Sequence, residues 1–158
     1  MSEHNTGFAA EGLIEEELSK YGVYASVTRG TSMIPLFKTN RDMVIIKKPN
    51  RPFKKYDVVL YTGANSRYTM HRIIKVKKNE LIIRGDNTYH KEHVAYERVI
   101  GILSEFNRKG KRHSTEEKGY KLYSRVWNFL YPVRFVWVKL YRPPRRLAGK
   151  IYHKVFKK

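Results

Sequence analysis

The chain of 158 residues contains no cysteine, which excludes a thiol nucleophile, a disulfide framework and thiolate ligands for a metal. It also has no uninterrupted apolar run close to the roughly 20 residues that a membrane-spanning helix requires. No acidic residue follows Glu117, so residues 118–158 contain twelve Lys and Arg residues and no carboxylate side chain. Because the formal net charge of the whole chain is +19, this segment carries most of it and is expected to contact an anionic partner.

The pattern of apolar residues divides the chain into four segments. Residues 1–22 include an amphipathic stretch, 8–21, that predicts a short acidic helix. Residues 23–107 change to a period of two and predict a twisted, partly closed antiparallel sheet, so the expected fold is mainly β. Residues 108–119 are predicted to form an exposed linker, and residues 120–158 a basic, aromatic helical appendage. The predicted strands are 23–29, 43–48, 57–61, 68–77, 80–84 and 99–107.

The basic appendage alternates aromatic and aliphatic clusters with cations. Leu147, Ile151 and Val155 repeat at intervals of four, a pattern typical of helices that lie in the interface of an anionic membrane. Packing on the sheet or on a protein partner is the second interpretation, and nucleic acid is the least favoured partner. Because residues 8–21 have neither the basic start nor the apolar run of a secretion signal, the sequence predicts a cytoplasmic protein, peripheral to the membrane.

Three short segments contain the groups that serine catalysis needs. Residues 30–37 read Gly-Thr-Ser-Met-Ile-Pro-Leu-Phe, residues 70–74 read Met-His-Arg-Ile-Ile, and residues 83–87 read Ile-Arg-Gly-Asp-Asn. A serine hydroxyl is a weak nucleophile at neutral pH unless a base takes its proton, and histidine can do this near pH 7 when a carboxylate fixes its tautomer. Each segment alone also suits a structural role, as a capped turn, a strand histidine or a hairpin turn.

The three segments become informative in combination. Together with two strand segments, residues 41–46 and 55–61, they resemble the type I signal peptidase family, in particular its endoplasmic-reticulum and archaeal branch. That branch carries Ser-Met-x-Pro, His-Arg and Gly-Asp-Asn, whereas the bacterial branch and the LexA-type self-cleaving proteases carry lysine in place of the histidine. The resemblance covers roughly residues 23–105 and implies a β-rich catalytic fold.

The resemblance implies a serine endopeptidase. Ser32 would be the nucleophile, His71 the general base and Asp86 the carboxylate that orients the histidine, with Glu92 as a rival for that last role. The backbone N–H of Ser32 would be the first oxyanion donor. Bacterial members have a hydroxyl where this chain has Gly30, so the second donor stays open. The implied substrate is a peptide or protein with a cleavable signal or leader segment, bound as an extended strand and selected for small side chains.

Two other functions remain as alternatives. A LexA-type self-cleaving regulator would need a lysine where His71 stands, and Lys75, Lys77 and Lys78 are offset from that position. A non-catalytic basic module could instead bind a membrane or nucleic acid through the appendage.

The implied chemistry needs no cofactor. A zinc site could in principle be built from four residues near the third motif, but their spacing matches no strong metal motif, and a solvated loop is the favoured interpretation. These residues are Asp86, His90, Glu92 and His93. We therefore predict no metal.

Overall fold

The computed structural model describes residues 13–63 and 66–141. The chain divides into two compact units, Met1–Arg125 and Val126–Lys158. The helices are α1 (Leu13–Tyr21), α2 (Lys118–Phe129) and α3 (Tyr131–Tyr141), with a short 3-10 turn at Tyr96–Arg98. The strands are β1 (Val23–Val27), β2 (Met43–Lys47), β3 (Val58–Thr62), β4 (Tyr68–Val76), β5 (Glu80–Arg84), β6 (Glu92–Ala95), β7 (Val99–Arg108) and β8 (Lys111–Ser114).

The first unit is built on one antiparallel sheet. Its strand order is β1-β2-β7-β3-β4-β5-β6, and β8 pairs with the last residues of β7. The mainly β prediction is confirmed. Within the described residues the sheet is not closed, since β1 and β6 form its two ends and do not pair with each other.

The central strands are buried on both faces. In β3, Val58 and Leu60 belong to one apolar cluster, whereas Val59 and Tyr61 belong to another. Side chains alternate between faces along a strand, and β4 pairs with β3 so that His71 lies opposite Val59 and Arg72 opposite Val58. His71 and Arg72 therefore project from opposite faces of the sheet.

The prediction of an exposed linker over residues 108–119 is wrong, because this range contains β8 and the start of α2. Residue 108 ends β7, Lys109 and Gly110 make a turn with positive φ values of 52° and 78°, and β8 follows as a strand paired with β7. Helix α2 then begins at Lys118, and its first residues belong to the sheet unit, because the boundary between the two units falls after Arg125. The appendage predicted to begin at residue 120 therefore starts later.

The second unit contains the end of α2 and all of α3 in its described part. The two helices are separated by one turn residue, Leu130, and Pro132 at the start of α3 supplies no N–H to continue the helical ladder. Across residues 13–63 and 66–141, none of the helices is long and apolar enough to cross a bilayer. The interfacial helix predicted around Ile151 lies outside the described residues.

Candidate active site

Ser32 lies in the loop between β1 and β2, and buried polar contacts hold the two ends of that loop together. The N–H and hydroxyl of Thr28 both donate to the carbonyl of Asp42, at 2.8 and 3.0 Å. The carboxylate of Asp42 accepts from the N–H of Lys38 at 2.8 Å and from Nε of Arg41 at 2.7 Å. Burial raises the pKa of Asp42, but these hydrogen bonds outweigh it and hold the pKa below its ordinary value.

The serine itself is kept at the surface of this loop. The side chains of Met33, Leu36 and Phe37 are buried in the apolar core, and their packing there anchors the turn that follows Ser32. Gly30 has a φ of 79°, a left-handed conformation that a glycine adopts without strain. Among the described residues, neither the hydroxyl nor the backbone N–H of Ser32 has a hydrogen-bond partner. Both groups are thus available to a substrate.

His71 is a buried residue of β4 whose Nδ1 atom is fixed by two neighbours. Nδ1 lies 2.9 Å from Oε1 of Glu92 and 3.1 Å from the hydroxyl of Tyr61. The Tyr61 hydroxyl donates its proton to Oε2 of Glu92 at 2.7 Å, so it cannot also donate to the histidine. Nδ1 must therefore carry the proton that is donated to Glu92, and in the neutral ring Nε2 is left with a free lone pair.

The Nε2 edge of His71 faces Ser32 across Gly85. A Cβ atom at Gly85 would lie 3.0 Å from Nε2 of His71 and 2.7 Å from the main-chain oxygen of Ser32, so only glycine allows these two residues to approach. The Gly-Asp-Asn turn is also hydrogen-bonded to the serine loop, since the N–H of Asn87 donates to the Ser32 carbonyl at 2.7 Å. Nε2 is buried and has no hydrogen-bond partner in the described part of the chain. The main-chain oxygen of Ser32 and Nε2 of His71 thus lie on either side of Gly85, and Nε2 makes no hydrogen bond to the Ser32 hydroxyl.

The predicted contact of Asp86 with His71 is absent. The Asp86 carboxylate instead accepts two hydrogen bonds from Arg72, both 2.8 Å long, and one from the Tyr123 hydroxyl at 3.0 Å. Arg72 and Asp86 lie on the opposite face of the sheet from His71, where α2 covers them. The carboxylate bonded to Nδ1 of His71 is that of Glu92, the rival named above, and not that of Asp86.

A β-bulge explains this exchange. Near the tip of the β4–β5 hairpin, Val76 pairs with Leu81, a register that would place His71 opposite Asp86 if it continued unchanged. The register shifts by one residue between Ile73 and Lys75, after which Arg72 pairs with Arg84. Continued by one further residue, this register places Gly85 opposite His71.

Burial sets the protonation state of the candidate base. Desolvation lowers the pKa of His71 below its ordinary value of about 6.5, although the Glu92 carboxylate opposes the shift. A base must be neutral to accept a proton, and a lowered pKa extends the neutral form to more acidic pH.

The pH dependence of cleavage follows from that direction. If His71 is the base, the rate should rise through an apparent pKa below about 6.5 and stay level through neutral pH. The measurement is a pH–rate profile with a cleavable peptide. A rise centred above about pH 9 would point to a lysine base and contradict the histidine assignment.

The residues of the suggested metal site do not converge. Asp86 is paired with Arg72, and His93 lies 3.0 Å from Glu80. Of the four residues, only His90 and Glu92 approach each other, with 3.7 Å between Nε2 of His90 and Oε1 of Glu92. Across the described ranges, no group of three His, Asp or Glu side chains is suited to hold a metal ion.

The sequence prediction missed one residue that contacts the histidine. Tyr61 lies two residues after Val59, the cross-strand partner of His71, and therefore on the same face of the sheet. The signal that could have identified it is this period of two, once β3 and β4 are paired.

No family model, curated protein or solved structure matches the chain. The resemblance to the signal peptidase family therefore remains a prediction.

Proposed function

We propose that the protein is a serine endopeptidase that cleaves a signal or leader peptide, with Ser32 as nucleophile, His71 as general base and Glu92 as the orienting carboxylate. The observation that carries this proposal is the state of His71. Its Nδ1 proton is held by Glu92, while Nε2 is buried, unpartnered among the described residues, and directed toward the Ser32 loop. An unsatisfied buried polar atom is costly, so its persistence supports a catalytic role.

The reaction follows the two-step course of serine peptidases. The Ser32 oxygen attacks the peptide carbonyl carbon while His71 Nε2 takes the hydroxyl proton, and the N–H of Ser32 donates to the oxyanion. The C–N bond then breaks as the imidazolium returns that proton to the leaving amine. Water, deprotonated by the same histidine, hydrolyses the acyl-enzyme and restores the serine. Glu92 stabilises the imidazolium that forms in each step.

Burial also favours a histidine over a lysine as the base. A lysine is a base at neutral pH only when a dry environment lowers its pKa. Lys75, Lys77 and Lys78 are all exposed on the β4–β5 hairpin, and Lys77 is paired with Glu80. These three residues therefore do not suit the base of a self-cleaving regulator.

The sheet offers an edge for an extended substrate. Strand β1 pairs with β2 on one side and is an end strand of the described sheet, and the chain passes from it into the Ser32 loop. A peptide added along such an edge would be aligned by main-chain hydrogen bonds near the nucleophile. We propose small side chains next to the scissile bond on the basis of the family resemblance.

The chemistry can be tested without knowing the substrate. Because the chain has no cysteine, a Ser32→Cys variant contains a single thiol. A neighbouring histidine base lowers a thiol pKa, so this variant should react with iodoacetamide at neutral pH about ten-fold faster than a matched Thr31→Cys variant. Thr31 is exposed and adjacent to Ser32. If accessibility alone set the rate, Thr31→Cys would therefore react faster than Ser32→Cys.

The same experiment identifies the base. Adding His71→Ala to the Ser32→Cys variant should reduce its alkylation rate to that of Thr31→Cys. Equal rates for Ser32→Cys and Thr31→Cys, or no effect of His71→Ala, would contradict the proposed pairing of Ser32 and His71.

A further inference from the structure

The second unit presents a stripe of exposed apolar side chains. Its members lie three or four residues apart, except that Val136 and Trp137 are adjacent, and the four that belong to α3 have the spacing that places side chains on one face of a helix. The stripe consists of Val126, Phe129, Val133, Val136, Trp137 and Leu140, each between 45% and 82% exposed. Exposed apolar side chains arranged continuously in this way mark a surface that binds something.

The charge of the segment that carries the stripe indicates what it binds. Residues 126–158 contain nine Lys and Arg residues and no Asp or Glu. A second copy would bring two such segments together, and their like charges would repel. An anionic surface is attracted instead, and aromatic residues beside cations are typical of helices that lie at the depth of lipid headgroups.

We infer that this stripe docks on an anionic phospholipid surface, with α3 lying in the plane of the interface. The inference is independent of the proposed peptidase activity, because it rests only on residues of the second unit. Trp137 and Leu140 would enter the boundary between headgroups and acyl chains, while Arg134 and Lys139 would remain among the phosphates.

The two tryptophans allow a direct test on the full chain. The Trp127 ring has the Arg134 guanidinium 3.5 Å from its centroid, whereas Trp137 lies in the stripe and is 62% exposed. In a Trp127→Phe background, Trp137 is the sole tryptophan. Its emission should shift to shorter wavelength with vesicles of equimolar phosphatidylcholine and phosphatidylglycerol, should not shift with phosphatidylcholine alone, and should lose the shift in high salt.

Matched variants separate the stripe from general hydrophobicity. Val136→Gln with Leu140→Gln should weaken binding to the mixed vesicles about ten-fold or more, because both side chains would leave the interface. The control is Met43→Gln with Val76→Gln, two exposed apolar residues in the sheet unit, and its binding should be unchanged.

Three results would overturn the inference. The first is the absence of an emission shift with anionic vesicles. The second is equal binding by the stripe and control variants. The third is a shift that grows with protein concentration in the absence of lipid, which would identify a second copy of the chain as the occupant.

Discussion

Replacing Ser32 with alanine is expected to lower the rate of peptide cleavage by about 10⁴-fold or more, because no other group would form the acyl-enzyme. His71→Ala should have an effect of similar size, since the serine would lose its base. The double variant should be hardly slower than either single variant, because nucleophile and base act as one unit. Single-turnover cleavage of a leader peptide, followed by mass spectrometry, measures all three rates.

Two controls make that result interpretable. Thr31→Ala alters the exposed neighbour of the nucleophile and should retain cleavage. The free energy of unfolding of Ser32→Ala should stay close to that of the parent, because the Ser32 hydroxyl has no hydrogen-bond partner among the described residues. Cleavage by Ser32→Ala at the parent rate would show that the nucleophile is misassigned.

Most of the sheet could be predicted from the sequence because its strands carry strong apolar patterns. The central strands β3, β4 and β5 are rich in Val, Ile and Leu and end near Gly, Pro or Asn. Strand β8 has no such signal, since its four residues, Lys-Arg-His-Ser, are all polar and pairing with β7 defines it. Strand β6 is also only four residues long, and its pairing with β5 defines it.

The candidate site was predictable only in part. The serine loop and the histidine strand have local signatures, but the identity of the carboxylate depends on the register between β4 and β5. A bulge near Ile74 changes that register by one residue and exchanges Asp86 for Gly85 opposite His71. Nothing in the local sequence specifies such a bulge, so sequence alone left Asp86 and Glu92 as rivals.

In this fold Asp86 is the counter-ion of Arg72. The Arg72 guanidinium is fully buried, bonded to Asp86, and donates also to the Ser124 hydroxyl at 2.7 Å and the Tyr56 carbonyl at 3.1 Å. These contacts link β4, the Gly-Asp-Asn turn and the first part of α2. Arg72 adjoins His71 in the chain, and Asp86 adjoins Gly85. The ion pair therefore holds the His71 strand and the Gly85 turn in place from the opposite face of the sheet.

Removing the charge of Asp86 should therefore mainly lower stability, whereas removing the charge of Glu92 should mainly lower the rate of cleavage. Asp86→Asn keeps the shape of the side chain but leaves the Arg72 charge buried without its counter-ion, which should lower the free energy of unfolding by about 3–5 kcal/mol. Glu92 is about one-third exposed, so Glu92→Gln should change that free energy by less than about 1 kcal/mol. Cleavage by Glu92→Gln should nevertheless fall about 10²- to 10⁴-fold, since the imidazolium would lose its stabilising charge.

Urea denaturation and a pH–rate profile of the two variants separate these effects. The Glu92 carboxylate raises the pKa of His71 against the lowering by burial, so Glu92→Gln should move the inflection of the profile to still more acidic pH. In the folded fraction of Asp86→Asn the inflection should move in the same direction but by less, because the Asp86 carboxylate raises the pKa of His71 only from a distance and does not contact the ring. An Asp86→Asn protein of parental stability with a strongly shifted profile would return the orienting role to Asp86. Parental stability with a strongly shifted profile in Glu92→Gln would instead support Glu92 in that role, because its carboxylate is the one bonded to Nδ1.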